Sequence, residues 1–182
     1  MKKIVVILTF ASMISGICYS QNSTKEIQGT FLGCSFGRSE FGMFYYIDDQ
    51  YKDRLKPAGD GMMYINNVQF GGFQFDHVMF FLGANNRLYE VGFMSKNLAL
   101  YDRILKKLEE VYPMDWAIEV GDDGYSLSGK GLKQEKIMYY ENGGRRVQLS
   151  INRAGNGDAK VVLIYTDLVR QEKERSTIRG QW

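Results

Sequence analysis

From Leu98 to Tyr112 the apolar residues recur at helical spacing, with Tyr101, Ile104, Leu105, Leu108 and Val111 on one side and Arg103, Lys106, Lys107 and Glu110 on the other. Asn97 is the natural cap of this helix and Pro113 its terminator. Elsewhere the period falls to two. Val147, Leu149 and Ile151 alternate with Gln148 and Ser150, the mark of a strand with one buried face. The same reading predicts strands at 31–34, 62–70, 73–82, 87–94, 116–120 with 125–128, 136–141, 145–152 and 160–167. Gly71-Gly72, Gly83 to Asn86 and Asn142-Gly143-Gly144 supply turns between them. A first helix is predicted from Ser39, its cap, to about Lys56. Phe41, Phe44, Tyr45, Tyr51 and Leu55 share its apolar face, and Pro57 stops it.

Helix, strands, helix, strands, joined by hairpin-length connections, implies an α+β fold. The expectation is one antiparallel sheet of about six strands with two helices packed on one face. The order repeats, so residues 31–96 and 97–167 read as tandem halves of one domain, and the charged tail 168–182 as a short helix.

The first twenty residues follow a different logic. Lys2 and Lys3 precede a charge-free apolar run from Ile4 to Ile17, then Cys18-Tyr19-Ser20 and the polar Gln21-Asn22-Ser23. That is the layout of a secretory signal, too short for a stable membrane span. Residues 1–20 are expected to be removed, leaving 21–30 as a flexible lead-in and a mature protein in the periplasm or outside the cell. Cys18 offers a rival: lipidation and anchoring in an outer membrane, disfavoured by the bulky Ile17 before it.

Composition narrows the function classes. The chain has 182 residues, 45% hydrophobic and 24% charged, which is globular and excludes disordered or coiled-coil classes. Loss of Lys2 and Lys3 lowers the basic count from 23 to 21, equal to the 21 acidic residues. A neutral chain gives no electrostatic footprint for nucleic acid or an anionic surface. Only Cys34 survives cleavage, so no internal disulfide is available and the core must supply the stability.

Few catalytic sets are open to this sequence. His77 is the sole histidine, which makes Cys34 and His77 the one Cys/His pair for nucleophilic catalysis. No Gly-x-Ser-x-Gly elbow presents a serine. Zinc needs more His and Cys than one of each. Asp122-Asp123 and Asp48-Asp49 lack the spacing of a calcium loop. Asp76, Glu90, Asp115 and Glu119 lie in or beside strands, where a solvated sheet face accounts for them better than glycosidic chemistry. No cofactor or metal is expected. The open face of the sheet remains, and Trp116, Tyr125, Tyr139 and Tyr140 are the aromatic residues expected to furnish a binding surface there.

Gly37-Arg38-Ser39 opening the first helix, with the hairpin series after it, resembles the tandem helix-plus-three-strand architecture of β-lactamase inhibitory proteins and small bacterial envelope-assembly lipoproteins. The resemblance implies a secreted, non-enzymatic binding or scaffolding protein whose partner is another envelope or secreted protein. A hydrolase built on Cys34 and His77, and a lipid-anchored assembly factor, are the alternatives. The address is tested by intact mass of the protein recovered from its native compartment. A chain beginning at Gln21 is the expected result, and a diacylated Cys18 terminus overturns it.

Overall fold

The computed structural model describes residues 25–83, 85–116 and 132–179. In chain order the strands are β1 (Thr30–Phe31), β2 (Cys34–Ser35), β3 (Lys56–Gly59), β4 (Met62–Phe70), β5 (Phe73–Leu82), β6 (Leu88–Ser95), β7 (Asp115–Trp116), β8 (Leu132–Asn142), β9 (Arg145–Ala154) and β10 (Ala159–Asp167). The α-helices are α1 (Glu40–Tyr46), α2 (Leu100–Glu109) and α3 (Leu168–Arg179), and a 3-10 helix spans Asp49–Arg54. Among the described residues eight strands form one antiparallel sheet in the order β3-β4-β5-β6-β10-β9-β8-β7. The order is a mirror about the β6–β10 pair: on each side stand three long strands preceded by a helix, with a short edge strand outside. The short edges β3 and β7 take the sheet from the expected six strands to eight.

Period-two patterning locates β4, β5, β9 and β10 almost to the residue, because Gly71-Gly72 and Gly143-Gly144 enforce two-residue turns with positive φ. The first helix departs from expectation. It ends at Tyr46, Ile47 and Asp48 turn extended, and the chain resumes as the 3-10 helix. Asp48 N–H donates to Leu32 O at 2.9 Å, a bond that a continuous helix would forbid. Pro57 therefore stops nothing. It sits in edge strand β3 opposite Met63, where a missing N–H costs least.

Helices α1 and α2 cover one face of the sheet, as expected. Met43 of α1, and Leu100, Tyr101, Ile104 and Leu108 of α2, join one core with Met63, Ile65, Val78, Phe80, Val91, Phe93, Leu149 and Leu163. Ser39 caps α1, its Oγ accepting from Gly42 N–H at 3.2 Å, and Asn97 Oδ1 accepts from Ala99 N–H ahead of α2. Phe93 is the centre of an aromatic knot: its ring stacks on Phe70 at 4.2 Å and meets Phe75 at 5.3 Å and Phe31 at 6.3 Å.

The chain before the first helix is a hairpin, β1–β2, rather than one strand. The residues expected as a flexible lead-in are docked from Lys25 onward: Ile27 is fully buried, Arg145 donates to Ile27 O at 2.7 Å and Asn142 to Lys25 O. At the hairpin tip both Leu32 and Gly33 have positive φ. A Cβ on Gly33 would strike the carbonyl oxygen of Tyr46, so this glycine lets the hairpin close on α1. Gly72 has the same backbone region but faces open space. Among the described residues no helix is long and apolar enough to cross a membrane.

The contrast between the two glycines is measurable by urea unfolding. Gly72→Ala is expected to cost about 1–2 kcal/mol, the strain of a left-handed residue alone. Gly33→Ala is expected to cost more, because Tyr46 and Asp48 must also move; equal losses would refute the close approach.

Candidate functional site

Strand register defines the sheet face away from the core. One row runs Phe81, Glu90, Thr166, Arg146, Glu141 across β5, β6, β10, β9 and β8. The next runs Tyr64, Met79, Gly92, Ile164, Gln148, Tyr139, and a third runs His77, Met94, Val162, Ser150. This face is not the open surface expected from the sequence. Met94, Val162 and Ile164 in its middle are buried and form a second small apolar cluster with Met79.

The aromatic residues expected to share this face are separated by the fold. Tyr139 and Tyr140 are adjacent in β8, so their side chains take opposite faces. Tyr140 is buried in the main core, stacked on Tyr112 at 5.3 Å, with a hydroxyl that finds no hydrogen-bond partner among the described residues. It therefore contributes to packing and cannot serve the outer face. Tyr139 lies on the outer face, half-buried, with the Arg146 guanidinium 5.6 Å from its ring centroid. Trp116 stands in β7 with its backbone in register with Met138, and Tyr125 lies outside the described residues.

Cys34 and His77 are also kept apart. Cys34 is fully buried beneath α1 on the core side, its thiol directed at Met43 O at 3.7 Å. Burial, reinforced by the nearby Asp48 carboxylate and opposed by Arg38, pushes its pKa up to about 12. His77 stands in β5 on the outer face opposite Met94, among Asp76, Lys96 and Lys160. Burial and the Lys160 charge hold its pKa below the usual histidine value. The sheet lies between thiol and imidazole, so the imidazole cannot take the thiol's proton.

The carboxylates are likewise dispersed. Asp76 accepts from Lys96 N–H at 2.6 Å, Asp115 is exposed on edge strand β7, and Glu119 and Asp122-Asp123 lie outside the described residues. Asp49, counted with Asp48 as a calcium candidate, is paired to Lys52 at 2.6 Å. Glu90 is buried on central strand β6.

What the sequence reading placed in the wrong direction is the aromatic run of α1. Met43 and Ile47, four residues apart, are the buried positions. Phe41, Phe44 and Tyr45, at i, i+3 and i+4, form the opposite stripe and face solvent, Phe41 83% and Tyr45 71% exposed. Tyr46 continues the ridge, packed edge-on against Tyr45 at 5.0 Å, with the Arg38 guanidinium 3.8 Å from its ring centroid. Four consecutive-turn aromatics on the wet side of a short helix are far more apolar surface than a solvated helix requires. Tyr51, in the 3-10 helix, and Leu55, just after it, both assigned to the same face, are buried. The available signal was Ser39: a cap there fixes the phase of the helix, and Met43 and Ile47 then fall together.

No family model matches the chain, and neither the curated proteins nor the solved structures yield a match.

The burial of Cys34 makes a direct prediction. In the native protein at pH 8 its thiol is expected to react with a disulfide reagent at least about a thousandfold more slowly than after unfolding in guanidinium, because so little thiolate exists. Rapid stoichiometric labelling of the folded protein would overturn the inert reading.

Proposed function

We propose that this chain is an exported, non-catalytic binding protein, and that the ridge of Phe41, Phe44, Tyr45 and Tyr46 is the surface that engages its partner, another envelope or secreted protein. The carrying observation is the solvent-facing aromatic stripe on α1, opposite the stripe that holds the helix to the core. Phe, Tyr and Arg are the residue types that concentrate binding energy at protein interfaces. The ridge is convex, so it fits a groove on the other molecule. Its charged surroundings are mixed, with Arg38 and Lys52 beside Glu40, Asp48 and Asp49. That balance suits a protein of mixed surface charge better than an anionic membrane or a polyanion. The signal-like first twenty residues support export, and the absence of an assembled nucleophile and base among the described residues supports binding rather than hydrolysis.

The test is photocross-linking in the native cell, with a photoreactive residue at Phe41 or Tyr45 and a control at exposed Asn156. A discrete adduct from positions 41 and 45, absent from 156, and at least tenfold weaker in a Phe44→Ser variant whose thermal unfolding is unchanged, is the expected outcome. Equal adducts at all three positions, or no adduct together with sedimentation of the protein on zwitterionic vesicles, would refute the protein-docking reading.

A further inference from the structure

Glu90 stands on central strand β6 at 2% exposure, and half of its carboxylate has no partner among the described residues: Oε2 accepts from Thr166 Oγ1 at 3.1 Å, while Oε1 makes no hydrogen bond there. Every element around it contributes. β10 supplies the Thr166 hydroxyl. β9 supplies Arg146, whose guanidinium is held by Glu141 of β8. α3 supplies Arg175, and β5 places the uncharged Phe81 directly opposite. Burial outweighs Thr166 and both arginines and pushes the carboxyl up to about 7.

The nearby helix is unusual as well. α3 crosses the ends of β9, β10 and β6, and it carries Arg170, Gln171, Glu174 and Arg175 where a docked helix ordinarily carries an apolar stripe. Its start is secured: Leu168 N–H donates to Gly144 O at 2.9 Å, and Asp167 accepts Arg170 N–H at 3.0 Å and pairs with its guanidinium at 3.1 Å. Further along, the Glu174 carboxyl fills the space that a Cβ on Gly83 would take, so the helix is set against the β5–β6 turn. The anchor is polar and local, and the partly buried side chains of α3 beyond it, among the described ones, are the polar Gln171, Glu174 and Arg175, whose contacts water replaces at low cost.

We propose that α3 is a proton-operated strap: when Glu90 ionises, the helix beyond its Asp167 anchor leaves the sheet end, the carboxylate hydrates, and the row Glu90–Thr166–Arg146 opens to solvent. The direction follows from linkage. The docked state holds the Glu90 proton more tightly than the released state, so docking is strongest below the ordinary value of 4.5 and weakens as pH rises towards about 7, with no further change above. If the strap accounts for all of the burial, the docking equilibrium falls by about 300-fold across that window.

The experiment is hydrogen–deuterium exchange of the full chain from pH 5 to 8.5, read by mass spectrometry and corrected for the intrinsic exchange rate. Protection of α3 is expected to fall, by up to about 75-fold over this range because the released-state carboxyl is already mostly ionised at pH 5, while β6 and β10 stay protected. Glu90→Gln, which keeps the shape without the charge, is expected to hold α3 protected throughout. Thr166→Val removes the donor that favours the ionised form and is expected to move the midpoint to higher pH. Three results would overturn the strap: α3 protection independent of pH, the same fall in Glu90→Gln, or loss of protection in α3, β6 and β10 together, which is global unfolding.

Discussion

Phe93 is the residue on which the two halves of the sheet depend. It lies on β6, beside the pairing with β10 that joins the two three-strand units, and its ring is stacked on Phe70 of β4 and angled against Phe75 of β5. Phe31 of the N-terminal hairpin packs on Phe93 and, at 4.8 Å, on Tyr165 of β10. One cluster of rings therefore ties both units and the hairpin together. A sheet whose halves meet only through backbone pairing would have to rely on hydrogen bonds worth about 1 kcal/mol each after the loss of water. The aromatic cluster adds apolar burial at the same seam, with several rings each contributing about 1.5–3 kcal/mol. With the hairpin fixed by Phe31, Gly33 meets the end of α1 and Asp48 is drawn to Leu32, which ends the helix at Tyr46.

That chain of constraints explains what could be read from residues alone. Strands β4, β5, β9 and β10 were legible because period-two alternation and paired glycines are local signals, and α2 was legible because its stripe is long and bounded by Asn97 and Pro113. The break after α1 was not legible, since its cause is Leu32, sixteen residues earlier, taking the amide of Asp48. Edge strand β3 was missed for a related reason, whereas β7 opens the strand expected at 116–120, whose remainder lies outside the described residues together with 125–128. A strand of four residues carries too little pattern to stand out, and Pro57 reads as a stop until a neighbouring strand shows which side it presents.

The site was less legible than the fold. Aromatic residues mark both cores and contact surfaces, so a cluster such as Phe41 to Tyr46 does not declare which it is. The decision rests on two aliphatic residues, Met43 and Ile47, that take the buried side of the helix and leave the rings outside. The same ambiguity ran the other way in β8, where Tyr140 went to the core and Tyr139 to the outer face. In a strand, neighbouring aromatics cannot build one platform. In a helix, residues three and four apart can, and α1 holds the platform for that reason.

The ridge and the strap begin close together. Gly37, just before α1, hydrogen-bonds through its N–H to Leu88 O, accepts from the Arg87 guanidinium at 2.8 Å, and has the Arg170 guanidinium in the space of its missing side chain. Arg170 is also the residue that Asp167 holds at the start of α3. The contact thus joins the base of the ridge to the fixed end of α3, not to the end that the Glu90 proton controls. Release of the strap would bare the Glu90–Thr166–Arg146 row of the sheet while Arg38, Tyr46 and the rest of the ridge keep their orientation. A ridge carried on so short a helix needs that independence, because about two turns of backbone and a single serine cap offer little resistance to rotation on their own.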